Sequence, residues 1–209
     1  MSGTLVVSSH YNRKDGFYEK AKEEGFRSRA AYKLKELDSR YHLLRSGTKV
    51  IDLGAWPGGW LQVCAARVGA KGKVVGIDLA EMEPLSVPQV CTITGDVRDE
   101  ENLEQARQFA GGAFDLVLSD MSPKHTGIKS VDQMATAAVA ELALWAAGQL
   151  LRPGGNFVVK LFPSNETELF VKSARPRFNK VVRMGLKSTR KSSREFYLLG
   201  FGFSPEQES

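Results

Sequence analysis

Apolar positions change their period several times along this chain, and each change marks an element. Ala31, Leu34, Leu37 and Tyr41 recur at helical spacing. The second of two N-terminal helices, Gly16–Glu24 and Ser28–Tyr41, therefore has one face to dock on a body. From Lys49 onward, short and almost wholly apolar runs alternate with helical ones. The strands read as Lys49–Leu53, Lys73–Ile77, Val90–Thr94, Phe114–Ser119 and Asn156–Leu161. The helices among them read as Gly59–Val68, Glu100–Phe109 and Val131–Leu151. Strands without polar alternation are buried on both faces, and alternating strands and helices build a parallel sheet covered on both sides.

The end of the chain breaks that alternation. A helix near Glu166–Ala174 is followed by two strands, near Lys180–Met184 and at Glu195–Gly202, joined only by the basic segment Lys187–Arg194. A hairpin there puts an antiparallel strand into an otherwise parallel sheet. The expected fold class is α/β, a Rossmann-like class I methyltransferase architecture with a seven-stranded, mostly parallel sheet, an antiparallel C-terminal strand and helices on both faces. No repeat, low-complexity stretch or linker divides the chain. One domain is expected over 1–209, with 1–45 as a basic helical extension and 46–203 as the core.

Charge adds a partner to this picture. The net +5 is unevenly spread. Residues 1–49 hold 11 Lys/Arg against 6 Asp/Glu, and residues 172–195 hold 9 against 1, whereas residues 50–171 hold 9 against 15. A neutral-to-acidic body between two basic segments fits a nucleic-acid binder. Arg27, Arg29, Lys35, Lys187, Arg190, Lys191 and Arg194 are the expected phosphate contacts. Cys64 and Cys91 fit neither a disulfide framework nor a zinc site and read as small core residues. His10, His42 and His125 do not cluster, so no metal is expected. No apolar run is long enough to span a membrane, and Met1–His10 lacks the pattern of a secretory signal. A cytoplasmic monomer is the default.

The densest chemical signal is Val50-Ile51-Asp52-Leu53-Gly54-Ala55-Trp56-Pro57-Gly58-Gly59-Trp60. A strand ends in a glycine-rich turn and runs into a helix, as at sites where backbone approaches a nucleotide-like ligand. The spacing Gly54-x-x-x-Gly58-Gly59 differs from the dinucleotide fingerprint and suits S-adenosylmethionine (SAM). Ligands of open α/β sheets sit beyond the carboxyl ends of the strands. Those ends carry Asp52, Asp78, Asp96, Asp120 and Lys160. Asp78, 24 positions after Gly54, is placed for the adenosine ribose hydroxyls, and Asp96 for the adenine amine. Trp60 is either core packing or a wall of the pocket, with the wall preferred.

Lys160 ends an apolar strand, where a buried ammonium needs a partner, and Asp120 on the neighbouring strand supplies one. Nothing in the spacing brings Lys33 and Glu195 to the same place. The stretches from Gly25-Phe26-Arg27-Ser28-Arg29-Ala30-Ala31-Tyr32-Lys33-Leu34 to Ser193-Arg194-Glu195-Phe196-Tyr197 resemble the FtsJ/RlmE family of ribosomal RNA 2′-O-methyltransferases over nearly the whole chain. The resemblance implies a Lys-Asp-Lys-Glu tetrad at Lys33, Asp120, Lys160 and Glu195. It also implies SAM binding at Gly58, Trp60, Asp78, Asp96 and Asp120. In this scheme Asp120 and Glu195 orient Lys160, which assists the ribose hydroxyl as a base if neutral or as an alkoxide stabiliser if charged, while Lys33 positions the ribose.

The implied substrate is an A-loop uridine of 23S ribosomal RNA, presented in the large ribosomal subunit. Trp56, Phe162-Pro163 and a short basic extension depart from the family pattern. A catalytically silent RNA-binding or assembly factor, or a methyltransferase with another acceptor, are the alternatives. The glycine spacing and the antiparallel last strand speak against a nicotinamide dehydrogenase.

Overall fold

The computed structural model describes residues 16–123, 126–190 and 192–205. His10, His125 and Lys191 lie outside them. Two helices, α1 (Gly16–Glu23) and α2 (Ala31–Tyr41), precede the sheet. Then follow β1 (Lys49–Leu53), α3 (Gly59–Val68), β2 (Lys73–Asp78), β3 (Val90–Thr94), α4 (Glu100–Ala110), β4 (Phe114–Ser119), α5 (Lys129–Leu150), β5 (Leu151–Leu161), α6 (Asn165–Ala174), β6 (Phe178–Met184) and β7 (Phe196–Phe203). The seven strands lie in the order β3-β2-β1-β4-β5-β7-β6. Neighbours from β3 to β5 pair in parallel, and β7 is antiparallel to both β5 and β6. The last hairpin therefore turns back and inserts its second strand between β5 and β6.

Alternation along the strands sorts the core into two layers. Ile51, Val75, Val117, Phe157, Val159 and Leu198 face α4, α5 and α6. Val50, Val74, Leu116, Val158 and Leu199 face α2 and α3. Each fully buried aliphatic or Phe side chain stabilises the fold by about 1.5–3 kcal/mol, so both faces are anchored. The docking face read from the sequence of α2 is real: Ala31, Leu34 and Leu37 are all fully buried. Of the two thiols, Cys64 is fully buried and Cys91 partly so, and both are free.

Where element ends differ from the sequence reading, local contacts explain them. Helix α2 starts three residues late because residues 28–33 form a turn of i→i+3 bonds, among them Ala31 N–H to Ser28 O at 3.2 Å and Tyr32 N–H to Arg29 O at 3.1 Å. The start of α3 presses on that turn, since a Cβ on Gly59 would lie 2.3 Å from Ser28 Oγ. Helix α5 starts early because Asp132 accepts from Thr126 N–H (2.7 Å), Thr126 Oγ1 (2.9 Å) and Gly127 N–H (3.2 Å). Strand β5 starts at Leu151, straight from α5. The run Pro153-Gly154-Gly155 is absorbed by a register shift against β4 between Phe114 and Leu116. Helix α6 is capped by Ser164, whose hydroxyl accepts Thr167 N–H at 3.1 Å, a bond worth about 1 kcal/mol.

Candidate active site

After β1 the chain turns at Gly54 (φ 78°). A Cβ there would lie 2.4 Å from Met121 Cγ, so only glycine fits. Gly54 and Ala55 N–H both donate to Ile77 O, at 2.8 and 3.2 Å, which ties this turn to β2. Asp78 completes the tie. Its Oδ2 accepts Trp56 N–H at 2.9 Å and its Oδ1 accepts Ala80 N–H at 2.8 Å. Beyond these turns opens a cleft of about 920 Å³. Asp78, Asp96 and Asp120 line it, with Ile77, Val97, Val139 and Leu142 as apolar wall and Trp56 and Leu79 exposed at its rim. Arg98 donates to Asp96 through Nε, Nη2 and its backbone N–H. The guanidinium first, then the backbone bond, hold the Asp96 carboxyl at about 2. Carboxylates that accept hydroxyl and amine hydrogens, beside a flat apolar wall, suit a nucleoside.

Strand parity places the remaining chemistry. Asp52, Asp78, Asp120, Lys160 and Tyr197 all share the parity of the residues facing α2 and α3. Lys160 lies directly opposite Tyr197 in the β5–β7 register. Lys160 Nζ donates to Asp120 O at 2.6 Å and lies 3.2 Å from Asp120 Oδ1. The Tyr197 hydroxyl donates to the same Oδ1 at 2.7 Å. Burial above all, with the charges of Asp120 and Glu195, pushes the Tyr197 phenol well above its ordinary range and keeps it a donor. Helix α2 brings in Lys33, whose Nζ is 2.5 Å from Glu195 Oε1 and 5.9 Å from the Tyr197 ring centroid. Glu195 also accepts from Thr189 Oγ1 (3.0 Å) and Ser193 Oγ (3.3 Å). The four residues thus form two ion pairs, Lys160–Asp120 and Lys33–Glu195, joined through Tyr197. The expectation that Glu195 would orient Lys160 is corrected, because its cationic partner among the described residues is Lys33.

On the far side of these pairs lies a second cavity of about 580 Å³, lined by Arg29, Lys33, Phe162, Arg190, Arg194 and Glu195 among others. Its walls come from the turn before α2, α2 itself, the residue after β5 and the β6–β7 loop, and Glu36 ties α2 to that loop. The Glu36 carboxylate accepts Lys187 N–H (2.8 Å), Ser188 N–H (3.0 Å) and Ser188 Oγ (2.8 Å), while Arg29 Nη2 donates to Ser188 O at 2.6 Å. Arg27, expected at a phosphate, instead binds backbone: it donates to Pro57 O, Glu83 O and Pro84 O. Lys35 stays near the surface, against Glu24 and over the Phe26 ring, and Lys187 is exposed.

Two further expectations change. Trp60 is not a wall of the cleft. It is buried, its indole N–H donates to Ala30 O at 2.7 Å, and its ring packs 6.0 Å from that of Tyr197. Asp52 does not line the cleft either. It is 1 % exposed and its Oδ1 accepts no hydrogen bond. Burial, then the charges of Asp120 and Asp78, push its carboxyl well above the usual range. Gly58 caps α3 with φ 102° and packs under Arg27. Sequence reasoning passed over Tyr197 and Glu36. The parity shared by Tyr197 and Lys160 was a usable signal for the first. No group of side chains able to hold a metal occurs among the described residues, and no helix among them is long and apolar enough to cross a membrane.

A mostly parallel sheet with β7 inserted antiparallel, a glycine turn after β1 and acids at the following strand ends define a class I methyltransferase. Residues 26–203 match the FtsJ-like methyltransferase family, and the chain belongs to it. It is 44% identical over 189 residues to the ribosomal RNA large subunit methyltransferase E of Methanothrix thermoacetophila, covering 90% of this chain and 72% of that protein. It is 40% identical over 203 residues to the protein of the same name from Pseudomonas fluorescens, covering 97% and 95%. A crystal structure described as a ribosomal RNA methyltransferase of Plasmodium falciparum superimposes with a TM-score of 0.75 at 30% identity, over 87% of this chain and 100% of that one. Aeropyrum pernix fibrillarin, solved with SAM bound, shares the fold at a TM-score of 0.55 and 15% identity, over 76% and 68%.

Proposed function

We propose that this methyltransferase transfers a methyl group from SAM to a ribose 2′-hydroxyl of large-subunit ribosomal RNA, with an A-loop uridine as its target. The observation that carries this reading is the place of Asp120, which lines the nucleoside-sized cleft while holding Lys160 and Tyr197 beside a basic cavity. When bound, SAM supplies a methyl on a sulfonium, open to in-line displacement by an oxygen nucleophile.

The chain's own residues do the rest. Asp78 accepts the adenosine hydroxyls and Asp96 the adenine amine. Gly58 and Trp60 contribute backbone at the start of α3, where the helix N-terminus favours a carboxylate. Asp120 closes the cleft toward the acceptor. Lys160, fixed by two oxygens of Asp120, meets the 2′-hydroxyl. As an ammonium it stabilises the developing oxyanion, and as an amine it takes the proton. Lys33, fixed by Glu195, holds the ribose from the opposite side. Much of the rate then comes from alignment of two bound reactants. Arg29, Arg190 and Arg194 take phosphates, a contact that fixes position and carries little sequence information.

The test is incubation of undermethylated large ribosomal subunits with tritiated SAM, followed by mapping of the labelled nucleotide. Label on a 2′-O-methyluridine of the A-loop is the expected result. Label on a base or on protein overturns the reading.

A further inference from the structure

We propose that the cavity beside Lys33 and Glu195 receives the base of a single unpaired nucleotide, stacked on Phe162. The inference rests on the ribose-methylation reading and names how the acceptor enters. Its first ground is the depth of the reacting groups. Side-chain exposure is 13% at Lys33, 9% at Glu195, 8% at Lys160 and 20% at Asp120. An A-form helix displays its 2′-hydroxyls in a wide, shallow groove, and such a rod cannot lower one ribose into so deep a recess without its partner strand meeting the walls. A nucleotide splayed out of its strand can.

The second ground is what the recess offers a splayed nucleotide. At about 580 Å³ the cavity falls within the roughly 300–1,000 Å³ of small-molecule sites. Its lining combines an aromatic ring at Phe162 with guanidinium-bearing residues at Arg29, Arg190 and Arg194. Ring and cations together are what base stacking and backbone tracking of single strands require. Phe162 follows Lys160 by two residues, about 7 Å along an extended chain, and shares its parity. A ribose at Lys160 therefore has its base beside the ring.

The third ground is rigidity. Phe162 O accepts Thr167 Oγ1 at 2.8 Å, Thr167 is fully buried, and Leu161 is still paired with Phe196. The ring is presented from the end of a central strand by the capped start of α6. A stacking platform built this way selects for an unpaired base without reading which base it is.

Two measurements test the proposal. The first is kcat/KM on undermethylated large subunits for Phe162→Ala, Phe162→Leu and Phe162→Tyr, with SAM affinity taken separately by equilibrium dialysis. Stacking predicts a loss of about tenfold or more for Ala and Leu, a value within about twofold of the parent for Tyr, and unchanged SAM affinity. Parent-like turnover by Phe162→Leu, or Phe162→Tyr as impaired as Phe162→Leu, overturns it. The second is photocrosslinking of large-subunit RNA transcribed with 4-thiouridine, read by mass spectrometry. A crosslink on the peptide carrying Phe162 is expected, and crosslinks only on the peptides of Arg29, Arg190 or Arg194 overturn the proposal. This readout does not depend on methyl transfer. A crosslink at Phe162 without 2′-O-methyl product therefore counts against the reaction alone, and methylation without dependence on the ring counts against the pocket alone.

Discussion

The two sides of Asp120 are built by different means. The cleft side collects turns that follow β1, β2, β3 and β4, and parallel strands that start level also end level. The architecture itself brings Gly54, Asp78, Asp96 and Asp120 together. The basic side joins α2 and the turn before it to the β6–β7 loop across 151 to 159 positions of sequence, through the carboxylate of Glu36 and the guanidinium of Arg29. One side is a by-product of the sheet, and the other is an assembly held by a few polar bonds. It follows that cofactor and acceptor functions separate under mutation, each breaking through its own residues.

The most severe test of that separation is Lys160→Met. Loss of the group that meets the hydroxyl lowers kcat by about 10²–10³ in single-turnover methylation. SAM affinity by calorimetry stays at the parent value, and its loss would show that the two sides are one unit. Next comes Asp78→Asn. A hydrogen bond to a charged group is worth about 1.5–3 kcal/mol, so SAM affinity falls by about tenfold to a hundredfold, while filter binding of RNA is unchanged.

Glu36→Gln acts on the other side and more gently. It raises KM for large subunits several-fold, leaves SAM affinity alone and lowers stability by about 1 kcal/mol at neutral pH. Burial pushes the Glu36 carboxyl up, but the bonds from Lys187 and Ser188 and the charge of Lys187 outweigh it and hold the group below its ordinary 4.5. A carboxylate depressed in the folded state contributes stability above its unfolded value and loses it as pH falls through its folded one. Urea midpoints of parent and variant therefore converge as the pH drops below 4.5. The smallest effect is that of Arg194→Ala. It reduces the slope of log affinity against log salt by about one, whereas the same change at Arg27, already committed to backbone carbonyls, leaves the slope alone.

What the sequence disclosed follows the same division. Unbroken apolar runs announced the strands, and the spacing of Gly54, Gly58 and Gly59 announced the turn. The failures are instructive. Trp60 sits just past the glycine turn that borders the cleft, but its side chain is buried in the layer of α2 and α3, and periodicity in so short a stretch does not tell the two apart. Asp52 lies one residue inside the end of β1, whereas Asp96 and Asp120 lie beyond the ends of theirs, and it is buried. Lys33 and Glu195 were joined only by resemblance, because their contact depends on which face of the sheet α2 covers. Glu36, between Lys35 and Leu37, offered no local reason to be noticed. Its reason lies 151 positions further on, at the backbone of Lys187.

The insertion of β7 between β5 and β6 also ties the reaction centre to the edge of the sheet. Strand β6 has β7 as its strand neighbour, and β7 also carries Tyr197, whose hydroxyl grips Asp120. A lesion that loosens β7 therefore loosens the edge strand and the Asp120–Lys160 pair together, while β1 to β4, whose turns form the cleft, keep their own pairings.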